Sequence, residues 1–437
     1  MSIFARLRTA GPARRGLAAQ LFSLGTILAI QLLQVPVYVG ELGAATYGSY
    51  LLLIALPSAL TLSDFGLLSA TSTRLMGLVA LRETAEAKRL SRFTNSVVVY
   101  STSLIFVIAV LVVHIVDVSQ PGISLEEARP IVLGYAFYAI LFVYSSSFEG
   151  SMRAAGAYAS AWVRLGVMRL VDFVAGASVL LVTHSLVLSV GGMVASRLVG
   201  LIALRVKVKA VAPWSSWALV WPNKAMAPGM LRPTIGSLAL PVGNALINQG
   251  ALIAVGAALG PVSVAAFSTV RTMVNVLRQL TGVVTNSTLP SLTKALSVGQ
   301  NTEARSILRR VTIAVAVVSI GGAAGLAILG PFIVRVWTHG EIQVDASFIA
   351  LLCAQAIVES TWLALSLWFL AQNRHFGYSI VFVFSAAAYV ALLFLLNPAN
   401  LQEVALTQIG CSALVLVWVI VTLRLDLKND KPPTTIR

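Results

Sequence analysis

Two arginines, Arg271 and Arg278, sit in a run from Val262 to Pro290 that is otherwise apolar enough to cross a bilayer. On a helix, Ser268, Arg271, Asn275, Arg278, Gln279 and Asn286 fall within an arc of roughly 100°, so they form one polar stripe on an apolar rod. An arginine facing lipid at the bilayer centre costs about 3 kcal/mol on insertion scales. The stripe is therefore expected to face a protein interior or a water-filled cavity. What it offers chemically is fixed positive charge at membrane depth, the means to hold an anion there.

The other ionisable groups at membrane depth are few: Asp64, Glu149, Arg164, Arg169, Asp172 and Arg197 in the first half, and Glu359 in the second. Glu359 has no basic neighbour in its own run. It either pairs across helices with Arg271 or Arg278, or titrates as an ion-coupling group. Asp64 is a second coupling candidate, with a structural partner for an arginine as the other reading. Glu149 lies one turn before Arg153, the spacing of an interfacial i,i+4 pair. Arg169 and Asp172 are three apart and can pair locally, whereas Arg164 and Arg197 are placed to snorkel toward the cytoplasmic side. Asn244 and Asn248 share a helix face near Gln249, and Gln31 and Gln34 occupy the first run. Such amides suit sugar hydroxyls or each other. The histidines at 114, 184, 339 and 375 have no metal-ligand spacing, and no metal is expected.

The elements carrying these groups follow from composition. The chain of 437 residues is 58% hydrophobic and 11% charged, against about 25% charged for a soluble domain, which excludes a water-facing fold of this size. Twelve apolar runs are long enough to span a bilayer: Gly16–Val39, Tyr47–Ala70, Asn95–Val116, Pro130–Met152, Ser160–Val182, Leu186–Leu204, Thr234–Leu259, Val262–Pro290, Val311–Val336, Ser347–Leu370, Tyr378–Leu396 and Ala405–Leu423. The expectation is an all-α polytopic membrane protein. Cys353 and Cys411 lie within such runs and read as small buried hydrophobes.

With the N-terminus inside, 24 of the 31 basic residues fall in cytoplasmic segments, while the outside holds Arg129, with Arg335 at a span end. The net charge of +15 is thus accounted for by the positive-inside rule, not by nucleic acid. Both termini are expected in the cytoplasm. The outside loops are too short for a folded domain, and no GxxxxGK[ST] phosphate loop is present. An ATP motor on this chain is therefore not expected.

An internal repeat appears at an offset of 217 residues: Leu42-Gly43 matches Leu259-Gly260, and the pattern Glu86-Ala87-Lys88-x-Leu90-x-Arg92 matches Glu303-Ala304-Arg305-x-Ile307-x-Arg309. Two six-helix halves of like orientation are implied, residues 1–206 and 234–437. Parallel repeats of this kind are a transporter architecture with the substrate site where the halves meet. Between them, 207–233 is basic and tryptophan-rich (Trp214, Trp217, Trp221), either an interfacial amphipathic stretch or a plain linker. Tyr47, Tyr50, Tyr135, Tyr138 and Trp337 fall near outer span ends, where aromatics form an interfacial belt.

The order of motifs resembles the multidrug/oligosaccharidyl-lipid/polysaccharide (MOP) exporter superfamily, and within it the Wzx-type polysaccharide flippases. The carrying residues are Gln34-Val35-Pro36, Leu42-Gly43-Ala44-Ala45-Thr46-Tyr47-Gly48, Asp64-Phe65-Gly66-Leu67, the stretch 259–267 and Leu289-Pro290-Ser291-Leu292. The resemblance implies a MATE-like arrangement of two six-helix bundles around a central cavity that opens alternately to each side. It implies export of an undecaprenyl-pyrophosphate-linked oligosaccharide across a bacterial inner membrane, for O-antigen, capsule or exopolysaccharide. The partners implied are that lipid-linked sugar, membrane lipids, and the polymerase and glycosyltransferases of the same route. A cationic cavity for pyrophosphate or anionic sugar fits Arg271, Arg278, Asn275, Arg169, Arg197 and Asn248. Coupling to protons or sodium, with no bound cofactor, leaves Glu359, Asp64, Asp172 and Glu149 as candidates. A pyrophosphate cannot cross hydrocarbon unaided, so a carrier needs sheltered positive charge, whereas the lipid tail can stay in the bilayer.

Three other readings remain open. A multidrug antiporter of the same superfamily favours acidic, aromatic cavities for cationic drugs. A lipid II flippase is closer. A membrane polysaccharide polymerase or glycosyltransferase needs a large extramembrane loop or an acidic surface site, and neither is evident. A secondary transporter, not an enzyme, is the expectation.

Overall fold

In a lipid core every backbone N–H and C=O must be satisfied inside its own segment, and helices are the solution available to apolar runs of this length. The structure, a computed structural model, describes residues 12–59, 67–216, 218–221, 231–372, 374 and 376–428, leaving out the side chains of 12–17, 59, 69 and 231–237. Asp64 and the Asp64-Phe65-Gly66 motif lie outside the described residues, as does Trp217.

The described residues are almost wholly helical. In chain order the elements are α1 Pro12–Ala59, α2 Leu67–Ala80, α3 Thr84–Ile115, α4 Leu125–Ala154, α5 Tyr158–Thr183 and α6 Leu186–Val211. They continue with α7 Leu231–Ala245, a π-helical turn Leu246–Gly250, α8 Ala251–Ser297, α9 Asn301–Trp337, α10 Ala346–Ala371, α11 Phe376–Leu396 and α12 Leu401–Lys428. A single bridge, Gln120 with Ile123, is the nearest approach to a strand among the described residues. Ten helical stretches are long and apolar enough to cross a membrane among those residues, and the two longest hold two segments each. The all-α polytopic architecture expected from composition is thus present.

The helices exceed the apolar runs that announced them. α3 begins at Thr84 and not near Asn95, and α9 begins at Asn301 and not near Val311, because a helix continues through polar turns that hydropathy does not count. Where turns occur they have local causes. Ser124 caps α4 and closes a capping box with Glu127, and Ser185 caps α6.

The internal repeat is written into the backbone. α1 breaks at Gly43 (φ 71°, ψ 166°) and α8 breaks at Gly260 (φ 79°, ψ 176°), a conformation open essentially to glycine alone. At the same offset of 217, Arg82 (φ 63°) and Gly299 (φ 75°) both adopt left-handed φ, directly before α3 and α9, whose first residues, Thr84 and Asn301, also correspond. The two halves therefore share turn geometry as well as loop charges.

The chain divides into two compact units, Met1–Pro241 and Val242–Arg437. In the first, α1 packs on α4 and α5, α4 on α2, α3 and α6, and α5 on α6. In the second, α10 packs on α8, α9 and α12, and α11 on α12, on α8 and on the π turn. α6 runs on to Val211, past the residue-206 boundary expected for the first half. Beyond it, 212–216 and 218–221 are not helical, and 217 and 222–230 lie outside the described residues. Residues 212–216 and 218–221 form a strap anchored to the first unit: Trp214 packs into its apolar clusters, Asn95 Nδ2 donates to the Ser216 carbonyl at 2.7 Å, and Val220 N–H donates to Ser96 Oγ at 2.8 Å. Serines and an asparagine on α3 take the strap's backbone groups, which explains why it needs no helix of its own.

Of the aromatics expected at the belt, Tyr135, Tyr138 and Trp337 keep intermediate exposure, whereas Tyr47 and Tyr50 join Tyr38 in a buried cluster. Tyr38, Tyr47 and Tyr50 are each almost fully covered, with Tyr38 stacked on Tyr50 at 5.4 Å. Position near a span end does not reveal which way a ring points; packing on neighbouring helices decides it.

Candidate functional site in the membrane-depth charges

Each unit brings one arginine and one carboxylate together at membrane depth. In the first unit, Arg197 on α6 forms an ion pair with Asp172 on α5, and both side chains are essentially sealed, at 0% and 2% exposure. Asp172 also accepts from Tyr138 Oη at 3.1 Å and from Ser196 Oγ at 2.9 Å, and Arg197 donates to Tyr138 Oη at 3.0 Å. The guanidinium lies over the rings of Tyr138 and Phe142, at 5.2 and 5.1 Å. Arg197 thus does not snorkel. The local Arg169–Asp172 pair is not formed: Asp172 is taken by Arg197, and Arg169 rests over the Phe142 ring at 5.2 Å. Glu149 pairs with Arg153 at 3.4 Å, the i,i+4 contact its spacing predicts. Arg164 bonds to Ser160 at 3.3 Å.

In the second unit, the stripe is on α8. Arg278 pairs with Glu359 of α10 at 3.2 Å, with the two side chains 17% and 13% exposed. Arg278 Nη1 donates to Asn275 Oδ1 at 3.0 Å, and Arg278 also bonds to the Gln355 side chain. Gln355, wholly buried, donates to Glu359 Oε2 at 2.9 Å and to Ser412 Oγ on α12 at 3.3 Å. One turn on, Thr281 meets Ser360 at 3.2 Å. Glu359 therefore pairs with Arg278 and not Arg271. Asn286, the far end of the predicted stripe, is exposed, whereas Ser268 is buried.

Arg271 has a different task. Its Nη1 donates to the backbone carbonyl of Asn248 at 2.8 Å, inside the π turn, and its guanidinium lies over the Phe267 ring at 5.1 Å. A π turn leaves a carbonyl out of the regular ladder, and such bulges recur at functional sites. Pro241, five residues upstream, removes one further N–H. Asn248 in turn donates its Nδ2 to the Asn244 carbonyl at 2.7 Å, so the Asn248 amide is engaged with backbone.

Sequence reading missed Gln355, Ser412 and Tyr389. Tyr389, nearly fully buried on α11, lies within electrostatic range of both Arg271 and Arg278, and its hydroxyl has no hydrogen-bond partner among the described residues. Neutral polar residues in apolar helices are common, so only their convergence marks them. Among the described residues, no group of three or more His, Cys, Asp or Glu side chains could hold a metal ion.

No family model matches the sequence, and no curated protein does. Solved structures match in fold. An inward-facing multidrug resistance MATE family transporter of the MOP superfamily superposes with a TM-score of 0.78 at 13% identity, covering 95% of this chain and 100% of that one. An outward-facing MATE family transporter gives 0.65 at 12% identity, covering 98% and 99%. A MOP superfamily transporter from Pyrococcus furiosus, described as having a binding pocket of reverse polarity that suggests a different function, gives 0.58 at 11% identity over 97% and 98%. The fold is that of the MATE-like transporters of the MOP superfamily. At these identities, fold is the extent of the likeness.

Proposed function

We propose that the chain is a secondary exporter, and specifically a flippase that moves an undecaprenyl-pyrophosphate-linked oligosaccharide from the cytoplasmic to the outer leaflet of a bacterial inner membrane, for surface polysaccharide synthesis. The observation that carries this reading is the partly exposed Arg278–Glu359 pair between two helices of the MATE-like fold. It is a cation available to an anionic cargo, and its counter-charge is a group able to take up a proton. An arriving pyrophosphate or acidic sugar competes with Glu359 for the Arg278 guanidinium, since both offer oxygens to the same fork of N–H donors. Glu359, left without a counter-charge at membrane depth, then takes up a proton or draws in sodium. Re-forming the pair expels the cargo. Gln355 holds both partners and keeps the exchange within one small site. Arg271, tied to the π turn, contributes to the same cationic field. The sealed Arg197–Asp172 pair we assign to scaffolding.

The test is export by full-length Arg278→Ala and Arg271→Ala proteins in cells lacking the native gene. Lipid-linked repeat units should accumulate on the cytoplasmic face while the protein is inserted at its usual level, with Arg278→Ala at least ~10-fold impaired, as expected for a lost charge-assisted contact. Wild-type surface polysaccharide in both variants sinks the proposal. A multidrug antiporter is the second reading, favoured by the multidrug transporters that share the fold. Under it, the same variants would change drug accumulation and leave surface polysaccharide intact.

A further inference from the structure

Arg335 stands apart in the charge pattern: by the positive-inside count it is one of two basic residues at the outer side. It lines a cavity of about 430 Å³ at the α9–α10 and α11–α12 turns, together with Pro331, Gln343, Asp345, Phe348 and Gln402. The polar groups here are unequally free. Gln402 Nε2 donates to Asp345 Oδ2 at 2.9 Å and to Ser347 Oγ at 3.3 Å, so one oxygen of that carboxylate is engaged while its charge remains. Asn400, also at the cavity, is held by Glu403 at 3.1 Å. Arg335, by contrast, is exposed and makes no hydrogen bond or ion pair among the described residues. Gln343 is exposed beside it. Pro331, Leu259 and Leu401 supply an apolar wall.

A free guanidinium fork, a free amide and an apolar wall make a recognisable set. A guanidinium binds a carboxylate through two parallel N–H···O bonds, an amide serves hydroxyls, and an apolar wall takes the C–H face of a pyranose ring. The first unit lacks the set. The residue 217 positions before Arg335 is Val118, and the cleft it lines, of about 360 Å³, has Asp117 and Gln120 as its polar residues amid Leu, Ile and Val. Its charged residue is a carboxylate, with no guanidinium or ammonium in the lining.

We propose that the α9–α12 cavity binds an acidic sugar residue, a hexuronate, with its carboxylate on Arg335 and a ring hydroxyl on Gln343. This deepens the exporter reading, on which the presence of such a sugar at the outer face rests: the cavity receives an acidic residue of the cargo after release from Arg278.

The experiment needs no transport. Methyl β-D-glucuronide is titrated into the purified full-length protein in detergent and followed by saturation-transfer-difference NMR, with methyl β-D-glucoside as the neutral control. The glucuronide ring protons should receive saturation, with roughly tenfold weaker apparent affinity in Arg335→Gln and weaker transfer to the glucoside. Arg335→Lys should keep part of the binding, since it retains the charge and loses the fork. Both variants replace an exposed side chain and should leave the unfolding temperature unchanged. Transfer no greater than in empty micelles, or equal in wild type and Arg335→Gln, overturns the subsite. Failure here beside an export defect in Arg278→Ala removes the subsite alone; binding here beside normal export in that variant removes the exporter reading alone.

Discussion

The Arg197–Asp172 pair in the first unit and the Arg278–Glu359 pair in the second are built from the same chemistry to opposite ends. The first has no measurable exposure on its arginine and is closed by Tyr138, Ser196 and two aromatic rings. The second keeps 17% and 13% of its side chains exposed and is braced through amides. A sealed pair has already given up its water: a cavity of about 620 Å³ between α5 and α6 has Asp172 in its wall, yet the two side chains stay 0% and 2% exposed. A pair that retains some exposure can exchange its carboxylate for another anion. The difference teaches that a buried arginine in a membrane helix is evidence of function only when something leaves it reachable.

The comparison can be broken by experiment. The largest effect on stability is expected from Arg197→Ala, which strands Asp172 as an uncompensated buried charge; removal of one partner of such a pair costs about 3–5 kcal/mol. Detergent-solubilised protein should show a much lower unfolding temperature and poor recovery, and Arg197→Met combined with Asp172→Asn should restore most of it. If Arg197→Ala melts like wild type, the pair is no scaffold. A middle effect, about 1–3 kcal/mol each, is expected from Gly43→Ala and Gly260→Ala, which put a Cβ where glycine conformation is required. Equal losses would support equivalent hinges in the two repeats, and a loss in one alone would break that equivalence. The smallest effect on stability should come from Glu359→Gln, which keeps shape and the bond from Gln355. Its unfolding temperature should stay near wild type, while transport in proteoliposomes should stop responding to an imposed proton or sodium gradient. A response retained in full would separate Glu359 from coupling.

Much of this was legible in the chain itself. The apolar runs announced the helices because hydrocarbon leaves the backbone no other partner, and Gly43 and Gly260 marked the repeat because a positive φ at that break excludes other residues. Glu149 with Arg153 was readable for the same reason: a helix fixes the distance between residues four apart. The pairing of Glu359 was narrowed to two arginines and no further, since α8 and α10 meet at an azimuth that packing sets.

Sequence alone determined the all-helical membrane-spanning class, the twofold repeat and the presence of charge at depth, all consequences of local rules: hydropathy, helical period, and the conformational freedom of glycine. Tertiary structure alone decided that Asp172 belongs to Arg197 and not to Arg169, that Tyr47 and Tyr50 are buried, and that residues 212–216 and 218–221 strap the first unit. It also made Gln355 a bridge in the second unit. Those are contacts between residues far apart in the chain, where the helix rotation and depth that bring two side chains together come from the packing of every neighbouring helix at once.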